Sequence, residues 1–142
     1  MDISNLELVG RLLLSLLLGS IIGWEREVVR MPAGLRTYML VTMGSALFTI
    51  VSFLVADKSN LVDISRIAAG IITGIGFLGA GAIMRSGENV RGLSTAASIW
   101  TAAAIGMAVG FGYYLLSIIA TFLTLMVLLM SALERKWVKD KK

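Results

Sequence analysis

The chain has 142 residues, of which 57% are hydrophobic and 15% charged; a soluble domain is about a quarter charged, so most of this one belongs in a bilayer. It has no cysteine and no histidine, which excludes disulfides, thiol nucleophiles, Cys/His zinc sites and imidazole acid–base chemistry. The net charge of +4 argues for no nucleic acid, because Arg135, Lys136, Lys139, Lys141 and Lys142 crowd the end of the chain, where they read as a topology determinant beside anionic lipid.

The N-terminus, MDISNLELVG, is acidic and has no positive n-region, so no cleaved signal peptide is expected. The first apolar segment runs from Leu6 to Trp24. Within it Glu7 and Arg11 stand four apart with the acid first, the favourable order for a helical pair. Both are near the outer end, where a long side chain can snorkel, so they read as an interfacial ion pair. An ionisable residue in a span is also a functional candidate, and transport is the competing reading of this intramembrane pair.

The loop that follows, GWEREVVRMPAGLRT, places Glu25, Arg26, Glu27, Arg30 and Arg36 around Pro32, the single proline. The second segment, Leu35 to Val55, carries Thr42, Ser45, Thr49 and Ser52 on one face. The third, Ile67 to Met84, contains Gly70, Gly74, Gly76, Gly79 and Gly81. In a soluble helix each interior glycine costs about 1 kcal/mol relative to alanine. In lipid, glycine lets backbones approach closely or lets a helix break. These five therefore read as helix-packing residues of a central helix approached from more than one side. Gly74, Gly76 and Gly79 also spell GxGxxG, but the strand–turn–helix context of a dinucleotide site is missing.

The next loop, RSGENVRGLST, adds Arg85, Glu88, Asn89 and Arg91. Both loops end in Gly-Leu-x-Thr, at Gly34 to Thr37 and Gly92 to Thr95, and both motifs open a helix. The first helical hairpin thus resembles the second, which predicts a parallel pseudo-repeat. Residues 93 to 133 carry no charge and are about two spans long. They divide at Gly110-Phe111-Gly112 into Leu93 to Val109 and Tyr113 to Leu133. Ser94, Ser98 and Thr101 share a face of the fourth segment, and Ser117, Thr121 and Thr124 a face of the fifth. Such stripes read as interhelical hydrogen bonds, about 0.6 to 2 kcal/mol each, in preference to a water path. Gly19/Gly23, Gly70/Gly74 and Gly106/Gly110 are GxxxG pairs, which support close packing or a homodimer.

These features predict an all-α integral membrane protein, a compact bundle of about five transmembrane helices. Residues 1–134 form the membrane domain and 135–142 a basic cytoplasmic tail. Arg26, Arg30, Arg36, Arg85, Arg91 and the tail fall on one side, and Arg11, Lys58 and Arg66 on the other. The positive-inside rule then puts the N-terminus outside and the C-terminus in the cytoplasm.

At GWERE, AGLRT, RIAAGIITGIGFLGAGAIMR and NVRGLSTAASIW the chain resembles the membrane domain of the MgtC/SapB family, over about residues 8 to 115. The resemblance implies a multi-pass protein of the bacterial cytoplasmic (inner) membrane, linked to growth in low magnesium, acid tolerance and survival inside host cells. It further implies a regulatory role exerted on other membrane proteins, notably the F-type ATP synthase. The charged and polar family positions carried onto this sequence are Glu25, Arg26, Arg36, Arg66, Asn89 and Arg91. Two departures are visible: Gly70 stands where many members have glutamine, and many members continue into a cytoplasmic domain, so a short form is expected.

The leading expectation is therefore a regulator whose third span docks partners and whose charged loops set specificity. The alternative is a magnesium or proton transporter or channel. Magnesium prefers octahedral oxygen coordination with one or two carboxylates, and the spans offer no acid near the midplane. No nucleophile is paired with a base, so no catalytic residue, no resident metal and no cofactor are expected, magnesium entering only under the alternative.

Overall fold

The computed structural model describes residues 4–57, 63–87 and 89–139. Helix α1 spans Asn5–Val28 and starts at Ser4, whose hydroxyl accepts from the Glu7 N–H at 3.2 Å. It ends in a Schellman turn: the Arg30 N–H donates to the Glu27 carbonyl and the Met31 N–H to the Arg26 carbonyl. Arg30 holds the left-handed position of that turn, at φ 55°, which glycine usually occupies. Helix α2, Leu35–Asp57, is capped by the Glu27 carboxylate, which accepts from the Leu35 N–H at 2.9 Å. Helix α3, Ile64–Gly81, is capped by Asp63, which accepts from the Ser65 N–H at 2.9 Å.

The third apolar segment stops earlier than Met84. Strands β1 (Met84–Ser86) and β2 (Asn89–Arg91) form a small antiparallel hairpin, Met84 opposite Arg91 and Ser86 opposite Asn89. Gly87 turns it at φ 61°. The all-α reading holds for the described residues apart from this one short hairpin, which periodicity over a mixed Met-Arg-Ser/Asn-Val-Arg stretch does not reveal. Helix α4 spans Leu93–Gly110 and α5 spans Tyr114–Lys139. The Gly-Leu-x-Thr motifs do open helices at equivalent places, since α2 starts at Leu35 and α4 at Leu93. The proposed tail begins inside α5, whose backbone stays helical to Lys139; residues 140–142, Lys58 and Glu88 lie outside the described residues.

Among the described residues, Asn5–Val28, Leu35–Ala56 and Leu93–Gly110 are long and apolar enough to cross a membrane, while Ser65–Gly81 and Tyr114–Met130 are shorter apolar helices. The central helix is α2, not α3. On one side α1 presses Gly19 and Gly23 onto it. A Cβ on Gly19 would stand 2.2 Å from Thr42 Oγ1, and one on Gly23 2.7 Å from Leu35 Cα. On the other side α4 brings Gly106 and Gly110 against Thr42, Ala46 and Thr49. Two of the three GxxxG pairs are therefore packing devices within this chain.

The hydroxyl stripes have a different role from the one expected. Thr42, Thr49, Ser98, Thr101, Thr121 and Thr124 donate to carbonyls three or four residues back in their own helices, and Ser117 to the Tyr113 carbonyl just before α5. In a bilayer this self-satisfaction lets a small polar side chain sit at a helix contact without a partner across it. Among these stripe hydroxyls Ser98 also bonds across a helix contact: Tyr38, fully buried in α2, meets it with Oη and Oγ 2.5 Å apart. Ser98 spends its own proton on the Thr95 carbonyl, so the Tyr38 phenol is the donor.

Candidate functional site

The six charged and polar positions do not form one site. Arg26 is not a solvated loop residue, because α1 continues through it. It shares a buried face with Gly19, Ile22 and Gly23 and is 1% exposed. Its guanidinium bonds the neighbouring Glu25 carboxylate through Nε and, at 2.6 Å, through Nη2. Nη1 has no partner. Removing Glu25 would leave an uncompensated buried charge, the costly case for a buried pair.

Asn89 and Arg91 lie on β2, exposed, and face Arg30, Met31 and Pro32 of the first loop. Together with Arg85 and the start of α4 they enclose a cavity of about 840 Å³. Gly92 folds the hairpin onto the end of α3: it sits at φ 88°, and a Cβ there would lie 2.0 Å from the Ala82 carbonyl oxygen. Arg36 is exposed on the first turn of α2 and does not line this cavity. Arg66 belongs to the other end of the bundle, on the first turn of α3, a helix of 18 residues and so about 27 Å long.

Arg66 marks the mouth of a second cavity, an apolar groove of about 740 Å³ between α2 and α3. Gly44, Gly70 and Gly74 line it with Phe48, Ile71 and Leu78. A Cβ on Gly44, Gly70, Gly74, Gly76 or Gly81 would meet nothing within 4 Å, and only Gly79 touches a neighbour, Ala96 of α4 at 3.6 Å. Helix α3 does pack into the bundle through Ile71 and Ile75, but its glycines, apart from Gly79, are not the positions that make the contact. Phe77, on the same helix, is 82% exposed.

Glu7 and Arg11 are brought together as expected, and into more than a pair. Arg11 is buried at 8% exposure. Its Nη2 donates to Glu7 Oε1 and its Nη1 to the Gly110 carbonyl, both at 2.6 Å, and its Nε to the Tyr114 hydroxyl at 3.1 Å. The Tyr114 hydroxyl donates in turn to Glu7 at 3.1 Å. This clasp ties α1 to the α4–α5 turn and satisfies an orphan carbonyl at the end of α4. Tyr114 and the Gly110 carbonyl were invisible in the sequence, because they lie about a hundred positions away. Arg30, Arg85 and Thr95 could have been found, since they stand in the same two loops as the residues singled out.

The MgtC family model matches residues 12–136. YhiD of Escherichia coli K12, whose name proposes magnesium transport, is 49% identical over 127 residues, covering 86% of this chain and 59% of that protein. MgtC of Salmonella typhimurium LT2 is 47% identical over 126 residues, 87% of this chain and 53% of that protein. SrpB of Synechococcus elongatus is 46% identical over 129 residues, 83% of this chain and 71% of that protein. The chain thus spans little more than half the length of the first two. No solved structure matches it. A family model over most of the chain, together with relatives near half identity, makes this chain a member of the MgtC family.

Proposed function

We propose that this chain is a regulatory integral membrane protein of the MgtC type, placed in the bacterial cytoplasmic membrane with its C-terminus in the cytoplasm. It serves adaptation to low magnesium and acid stress by contacting other membrane proteins such as the F-type ATP synthase. The observation that carries this reading is the bare glycine face of α3. Gly70, Gly74 and Gly81 share one face of that helix, where an added Cβ would meet nothing within 4 Å, and glycine in a lipid-facing helix favours the close approach of a second helix. Gly70 and Gly74 border a groove open along α2, which offers that helix a seat.

A second reading, magnesium transport, draws support from the name of the E. coli relative. Against it, the acids Glu7, Glu25, Glu27 and Asp63 stand at helix ends or caps, away from the middle of any span. A magnesium path would then need backbone carbonyls in place of carboxylates.

Two measurements separate the readings. In liposomes the purified chain should give no magnesium or proton flux. In cells, Gly74→Cys or Gly81→Cys should crosslink to a subunit of the ATP synthase, and Gly74→Leu should abolish the crosslink made from Gly81→Cys. Flux that falls on Arg11 or Glu25 substitution would refute regulation and establish transport.

A further inference from the structure

The cavity between the two charged loops is explained neither by bundle packing nor by the α3 face. Arg30 comes from the α1–α2 loop, Arg85 and Arg91 from the hairpin, and Ser94 and Thr95 from the first turn of α4. No carboxylate occurs among its described lining residues. Arg85 donates from Nε to the Gly87 carbonyl at 3.3 Å and pairs with Val90, on the opposite face of the hairpin from Arg91, so Arg30 and Arg91 are the cations that border this space of about 840 Å³. That size is typical of a small-molecule site.

Thr95 supplies an independent sign of a missing ligand. It is fully buried and lines the cavity, yet its hydroxyl has no hydrogen-bond partner, although buried polar groups are nearly always satisfied. Gly92, which opens α4, offers no side-chain cap, so the first N–H groups of that helix are left without one. Free helix N–H groups favour an anion. Phosphate fits this donor set better than a carboxylate, because its free oxygens, three in a monoester and two in a diester, are arranged tetrahedrally and can meet donors that converge from different elements.

We infer that this cavity binds a phosphate group, of an anionic phospholipid headgroup or of a soluble phosphate ester, between Arg30 and Arg91 with the Thr95 hydroxyl as a further donor. The inference does not depend on whether the chain regulates or transports, since it concerns a different face from the α3 groove.

The test uses the full chain purified in maltoside micelles, which carry no phosphate. One arm titrates inorganic phosphate and ATP by calorimetry. The other adds phosphatidylglycerol or phosphatidylcholine and counts bound lipid by native mass spectrometry. Saturable binding is expected in at least one arm, and the arm in which it occurs identifies the source of the phosphate. Arg30→Gly and Arg91→Gln should each weaken binding about tenfold to a hundredfold, as for loss of a charged hydrogen bond. Thr95→Val should weaken it less. Thr101→Val, whose hydroxyl bonds Ala97 within the same helix, should leave it unchanged. Arg30→Gly suits the left-handed turn better than arginine does, so its loss of binding, with unchanged helical circular dichroism, is not misfolding. Absence of saturable binding in both arms, or equal binding by the wild type, Arg30→Gly and Arg91→Gln, overturns the inference.

Discussion

Alanine at Gly106 and alanine at Gly74 are the same chemical change in two apolar helices, and the structure gives them opposite outcomes. At Gly106 the added Cβ would stand 2.2 Å from the Thr42 carbonyl oxygen and 2.9 Å from Thr42 Cα. Both partners are backbone atoms of the central helix, so no rotamer change relieves the clash. Helix α4 has to back away from α2 by about 1 Å, and the Tyr38–Ser98 hydrogen bond, at 2.5 Å, lies on the contact that would part. Overpacking of this kind costs about 1–3 kcal/mol, more than the roughly 1 kcal/mol that alanine gains over glycine in helix propensity. At Gly74 nothing lies within 4 Å, so only the propensity gain remains. Thermal unfolding in one detergent should therefore give a lower midpoint for Gly106→Ala than for wild type, and for Gly74→Ala an equal or higher one. If Gly74→Ala is as destabilising as Gly106→Ala, the glycine face of α3 packs inside the bundle and the bare-face argument fails. If Gly106→Ala is neutral, α2 is not the helix clamped between α1 and α4.

Arg11→Met keeps the apolar stem but strips the Gly110 carbonyl and Tyr114 of their donor, and should cost about 1.5–3 kcal/mol in denaturant unfolding; an unchanged midpoint would show that the clasp is ornamental. Tyr38→Phe removes the donor to Ser98 while Ser98 keeps its bond to the Thr95 carbonyl, so a smaller loss of about 0.5–1.5 kcal/mol is expected. Arg30→Gly relieves a positive φ and should raise stability by about 1 kcal/mol; a loss would mean that the Arg30 side chain holds the turn. The bond from Ser65 keeps the Asp63 carboxyl below its ordinary range. The contribution of its cap to α3 is present at neutral pH and is lost as the pH falls through that lowered value. Protection of the amides at the start of α3, corrected for the intrinsic pH dependence of exchange, should fall on acidification in the wild type and not in Asp63→Asn; equal pH dependence in both would refute the cap.

The sequence alone determined that this is a mainly helical chain with segments apolar enough to cross a membrane, roughly where those helices lie, and which family it belongs to. Those properties are local: apolar run length answers to bilayer thickness, and glycine-rich and charged loop motifs are contiguous spellings. The paired starts of α2 at Leu35 and α4 at Leu93 were legible for the same reason. Contacts between distant positions were not. Glycine density singles out Gly70, Gly74 and Gly81, but whether a glycine is filled depends on what another helix brings opposite it. Thr42 fills that place for Gly19 and Gly106, and nothing does for Gly74. Likewise Arg26 and Arg91 look alike as loop arginines. Only the continuation of α1 buries the first beside Glu25, while the hairpin turns the second toward Arg30. Helix formation is decided by nearest neighbours along the chain; occupancy of a face is decided by the packing of all the described helices at once.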